Sequence, residues 1–130
     1  MIKRKIVLVR TGSPSNNINA ELQWFGQSLG LFGPRDRDKS AFRLFLELLK
    51  AAKAQESMSS DELANRLLIT RATVVYHLNE LMERGLVVQQ RKRYLLRENE
   101  LQRLMDDLQR DVEATLHHMR DVAKEIDERL

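Results

Sequence analysis

The sequence predicts a mainly α-helical fold with one small β-hairpin and a long C-terminal helix. Three observations carry that prediction. Apolar residues return every three or four positions through several segments between residues 18 and 84. Two short strand-like runs, Leu86 to Gln89 and Tyr94 to Leu96, flank the basic stretch Gln90-Arg91-Lys92-Arg93 and read as a hairpin with a basic tip. From Glu98 to Leu130 there is neither Pro nor Gly, so nothing interrupts a helix there.

Taken in order, Ile2 to Arg10 reads as one strand rich in branched residues, followed by a loop from Thr11 to Asn17. Ile18, Leu22, Phe25 and Leu29 form an apolar helical stripe, weakened by Gly26 and ended by Gly30, Gly33 and Pro34. Trp24 and Phe25 are expected to dock this helix by packing. Asp36 or Asp38 is placed to cap the next helix, whose inward face is Phe42, Phe45, Leu46 and Leu49. Ser59 followed by Glu62 is a capping box and opens a short helix with Leu63, Ala64 and Leu67 inward. Thr70 caps a fourth helix with Val74, Leu78 and Leu81 on its core face, and Gly85 stops it. In the last segment Leu101, Met105, Leu108, Val112, Leu116, Met119, Ala123, Ile126 and Leu130 follow steps of three and four. Their average is close to the 3.6 of a straight helix.

Charge divides the chain where the pattern does. Up to residue 97 there are 17 Lys and Arg against 9 Asp and Glu; beyond it there are 5 against 10. A basic body suits an anionic partner, and an acidic helix belongs away from it. The chain divides into 1–35, a strand and short helix of no assigned role; 36–97, the helical body with its hairpin; and 98–130, the long helix. That helix is too long for so small a body to cover. Its apolar stripe implies a partner surface, most simply the same helix of a second copy. Leu101, Met105, Leu108, Val112, Leu116, Met119 and Ile126 are the expected dimer seam.

Composition excludes several classes. With no cysteine, there is no disulfide framework, thiolate metal site, iron–sulfur cluster or cysteine nucleophile. Apolar runs as short as Ile6 to Val9 do not span a membrane. The N-terminus lacks the apolar core of a signal peptide, so a cytoplasmic protein is expected. No nucleophile–base pattern, phosphate loop or carboxylate pair suggests an enzyme. His117 and His118 with Asp121, Asp111 and Asp107 are the only metal-like group; adjacent histidines diverge by about 100° on a helix, and no metal or cofactor is expected.

The order helix, short helix, tight turn, helix and basic hairpin is that of a winged helix-turn-helix. Thr73-Val74, His77-Leu78, Leu81 and Gly85-Leu86-Val87 resemble, in order and spacing, the recognition-helix signature of ArsR-like winged-helix transcriptional regulators. The resemblance covers roughly residues 38–97 and implies double-stranded DNA as the partner. It implies a homodimer and leaves any small-molecule effector unspecified. Beside it stands the residues' own chemistry. With Val74, Leu78 and Leu81 inward, the fourth helix turns Ala72, Thr73, Tyr76 and Asn79 outward, with Arg71 on the flank. Helix N-terminal residues approach base edges in the major groove. Thr70, Arg71, Thr73, Tyr76 and Asn79 are therefore the expected reading residues, and Arg91, Lys92 and Arg93 the expected backbone or minor-groove contacts. His77 borders the core and is expected to pack or touch a phosphate. The alternative is a non-enzymatic winged-helix module that binds protein, favoured if neighbouring acids neutralise Arg71, Tyr76 and Arg91.

Overall fold

The computed structural model describes residues 5–32 and 38–130. The described elements run α1 (Ile18–Ser28), α2 (Ser40–Lys53), α3 (Ser60–Leu67), α4 (Arg71–Glu83), β1 (Val87–Gln90), β2 (Arg93–Leu96) and α5 (Leu101–Arg129). Helices α2, α3 and α4 enclose one core with the β1–β2 hairpin beside it, the arrangement of a winged helix-turn-helix. Leu44, Phe45 and Leu48 of α2, Leu63 of α3, and Val74, Leu78 and Leu81 of α4 are completely or almost completely buried.

The caps explain where the helices begin. Asn17 Oδ1 accepts from Ala20 N at 2.9 Å, Ser59 Oγ from Glu62 N at 3.1 Å, and Thr70 Oγ1 from Thr73 N at 3.1 Å. Each side chain supplies an acceptor to an amide with no partner inside the helix. At α2 the N-cap is Lys39, and Asp38 Oδ1 accepts from Ser40 N at 3.2 Å. Gly85, at φ 75°, ends α4 in the left-handed region as the sequence predicts. Gly26 is buried inside α1 for a different reason. A Cβ there would lie 2.5 Å from Phe42 Cδ1, so only glycine lets α1 approach α2 this closely.

Strands β1 and β2 pair antiparallel from Val87–Leu96 to Gln90–Arg93, leaving Arg91 and Lys92 as the turn. Arg93, expected at the basic tip, is instead the first residue of β2. Met58 and Tyr94 exchange both backbone bonds, at 2.9 and 2.7 Å, and join the α2–α3 loop to the hairpin as a third short edge.

Three expectations need correction. The strand expected over residues 2–10 does not form in its described part. Residues 5–10 have no ladder neighbour, and two of their amides engage helix ends instead: Lys5 N to Glu83 O at 2.9 Å and Val9 N to Ser28 O at 2.7 Å. Residues 1–4, with Gly33, Pro34 and Asp36, lie outside the described residues. The last helix starts at Leu101 and not at Glu98. Finally, its first turns belong to the domain. Leu108 is buried in the core, Leu101 and Met105 pack against it, and Leu104, absent from the expected stripe, has no exposure at all. Ile6, Val7, Leu8, Leu29, Arg84, Leu86 and Leu108 line a small recess between the arm and the domain. Leu108 therefore does not form a dimer seam, and neither Leu101 nor Met105 is fully presented for one.

Candidate nucleic-acid interface

Helix α4 packs Val74, His77, Leu78 and Leu81 inward and exposes Arg71, Ala72, Tyr76 and Asn79, with Thr73 half-buried beside them. That division follows from the 3.6-residue period: positions 72, 76 and 79 share the face opposite 74, 78 and 81. Of the expected reading residues, Tyr76 and Asn79 share that exposed face, while Arg71 and half-buried Thr73 lie on its two flanks. Thr70 is the exception in kind. Its hydroxyl caps α4 and lies 2.8 Å from Thr73 Oγ1, so its first role is structural.

The angle between α3 and α4 is set locally. Leu68 takes φ 57° and closes the three-residue turn without a glycine, while Ile69 N donates to Ala64 O at 3.2 Å. Arg43 Nη2 of α2 donates to Leu67 O at 2.7 Å and fixes the end of α3 to the core. His77 is buried with Nε2 2.6 Å from Ser40 Oγ, and it joins the recognition helix to the start of α2. This is the packing role expected of it; a phosphate would not reach it there.

Two of the basic side chains at this surface, Arg93 and Arg71, are held by acids. Arg93 turns away from the wing tip. Its Nη1 and Nη2 donate to Glu62 Oε1 and Oε2 at 2.9 and 3.2 Å, and Nε and Nη2 donate to Ser57 Oγ and O at 2.9 and 2.7 Å. The Arg93 hydrogen bonds hold the Glu62 carboxyl below the usual carboxylate range. Arg71 Nε lies 3.5 Å from Asp61 Oδ1 and donates to Ser60 Oγ at 3.4 Å. Tyr76 donates to Glu80 Oε1 at 3.1 Å. Arg91 and Lys92 remain exposed at the tip, and Arg91 adopts φ 56°. In the sequence Glu62 stands out only as part of a capping box, and Asp61 not at all. Their adjacency in the first turn of α3 was the available signal; their partners, Arg71 and Arg93, are distant in sequence.

On α5 the large exposed apolar residues are Leu116, Met119, Val122 and Ile126, the first of these about half exposed, and Leu130 follows at its C-cap. Val112 is half-buried where the helix leaves the domain. His117 Nε2 lies 3.7 Å from Asp121 Oδ2, both exposed, and among the described residues no group of three metal-type ligands assembles. No described helix is long and apolar enough to cross a membrane.

Residues 38–93 match the model of the MarR family. The match coincides with the three-helix core and most of the wing, and it supports a winged-helix transcriptional regulator. It carries the class that the sequence resemblance implied, but not the ArsR-like subdivision. No curated protein and no solved structure matches the chain.

Proposed function

We propose that the protein is a sequence-specific, double-stranded DNA-binding regulator of transcription that acts as a cytoplasmic homodimer and has no enzymatic activity. The observation that carries this is the outward side of α4, where Tyr76 and Asn79 share one exposed face and Arg71 and half-buried Thr73 flank it in the first turn of a helix held by its cap and its core. Such a helix fits the major groove. Arg reads guanine, Asn reads adenine, and Thr contacts the thymine methyl. The wing tip, Arg91-Lys92, follows the backbone or the minor groove. The distal half of α5, from half-buried Val112 to exposed Ile126, joins two copies and sets two half-sites about 34 Å apart. The Thr73-Val74 and Gly85-Leu86-Val87 pattern keeps the ArsR-like subdivision as part of this reading.

Selecting bound sequences from a random duplex pool with the purified protein tests it. A palindromic motif is the expected result. Arg71→Ala should lower affinity for that motif by roughly ten- to a hundredfold, with a much smaller loss on random duplex. No enrichment over the starting pool would refute the proposal.

One observation favours a second reading. Asp61, Glu62 and Glu80 engage Arg71, Arg93 and Tyr76, which lowers the positive potential of this face and suits a module that binds protein.

A further inference from the structure

We infer that Asp61 and Glu62 determine specificity: they hold Arg71 and Arg93 away from phosphates, so the surface closes firmly only on a duplex whose bases it reads. The inference rests on the DNA-binding reading above.

Non-specific affinity comes almost wholly from Lys and Arg neutralising phosphates and releasing condensed counterions. A cation that already holds a carboxylate of its own protein must break that pair before it meets a phosphate. The displaced carboxylate stays tethered beside the polyanion and repels it. On any sequence the exchange therefore gains little. The arrangement is systematic on α3. Two consecutive acids at its first turn take the two arginines that approach from either side, Arg71 from α4 and Arg93 from β2. The wing is held by the same pairing, since Glu62 accepts from both terminal nitrogens of Arg93 while Ser57 accepts two further bonds.

Helix capping does not by itself account for Asp61. Ser59 Oγ supplies the cap, and Glu62 completes the box by reaching back to the Ser59 backbone. A glutamine at position 62 also completes a capping box, so Glu62→Gln removes the charge and keeps the fold.

The experiment compares wild type, Asp61→Asn, Glu62→Gln and the double variant by fluorescence anisotropy. The probes are a random-sequence duplex and the duplex enriched by selection, each across a salt series. Glu128→Gln, at the far end of α5, makes the same charge change as a control. On random duplex each substitution should steepen the log K against log salt slope by about 0.9 and raise affinity up to about eightfold at 0.1 M salt. The enriched duplex should gain less, so the specificity ratio falls. Variants that fold normally by circular dichroism but bind random duplex as wild type does would overturn the inference while leaving the DNA reading intact. So would an equal gain in Glu128→Gln, which would reduce the effect to net charge. A double variant that binds duplex where wild type binds none would support it. If neither binds any duplex, both the inference and the DNA reading fail.

Discussion

Arg97 Nη1 donates a 2.8 Å hydrogen bond to Asp111 Oδ2, so the residue that leaves β2 grips α5 three turns into the helix. The same guanidinium places Nε 3.3 Å from Asp107 Oδ2. Asp107 is buried, and its other oxygen pairs with Arg110. These charges, with Leu104 and Leu108 beneath them, fix the direction in which the helix leaves the domain. A dimer built on that helix inherits its spacing from this joint.

Arg97→Gln should therefore lower the unfolding free energy by about 2 to 4 kcal/mol, because Asp107 is left buried with Arg110 as its main partner. Urea denaturation is the check. A change below about 0.5 kcal/mol would show that the joint is held by apolar packing alone.

Glu98 carries a pH dependence of known sign. Its carboxyl is raised above the usual range, first because its protonated form hydrogen-bonds Asp107, with burial and the Asp107 charge adding to the shift. A raised acid stabilises the fold at low pH and loses that contribution as pH rises through its folded pKa. Glu98→Gln retains a donor toward Asp107 at every pH. The variant should melt higher than wild type at pH 7, and the difference should close below about pH 4, where a free Glu is protonated too. Melting curves at the two pH values decide it; a variant less stable at pH 7 would contradict the assignment.

The corrected seam changes which substitutions separate dimer from monomer. Leu116→Glu, Met119→Glu and Ile126→Glu together alter only exposed positions. The triple variant should have half the wild-type mass by light scattering and keep its helical circular dichroism. Leu108→Glu should instead destabilise the domain, since it places a charge in the core. A triple variant of unchanged mass would remove α5 as the dimer contact.

What the sequence made legible was local. The Ser59–Glu62 and Thr70–Thr73 caps, the Gly85 stop and the inward set Val74, Leu78 and Leu81 depend on spacings of three or four residues, and the chain displays these directly. The exposed face of α4 followed from the same spacing. What it concealed was long-range. Arg93 looked like a wing-tip cation because its basic neighbours are adjacent, whereas Glu62 and Ser57 lie more than thirty residues away. The arm over residues 5–10 has a strand's composition, but a strand exists only where a neighbour offers a ladder. Leu101, Met105 and Leu108 continue the same stripe as Leu116 and Met119. Periodicity fixes a face and does not say whether the domain or a second copy covers it.

Arg91 offers the sharpest division between fold and binding. It holds φ 56° at the wing turn, a conformation that costs an ordinary residue about 1 to 2 kcal/mol and that Asn adopts more readily. A residue so placed is poorly chosen for the turn and well chosen for a positive charge at the tip. Arg91→Asn should raise stability by about 0.5 to 1 kcal/mol. It should also weaken binding to every duplex alike, with the salt slope shallower by about 0.9. Lys92→Ala should flatten the slope similarly without the gain in stability. Arg93→Ala should differ from both, because it breaks the bridge to Glu62 and Ser57 and loosens the wing before it alters any phosphate contact. Chemical denaturation and salt-dependent binding of the three variants test this together. If Arg91→Asn binds with the wild-type slope, the wing tip does not meet the DNA backbone, and the positive charge at that turn needs another explanation.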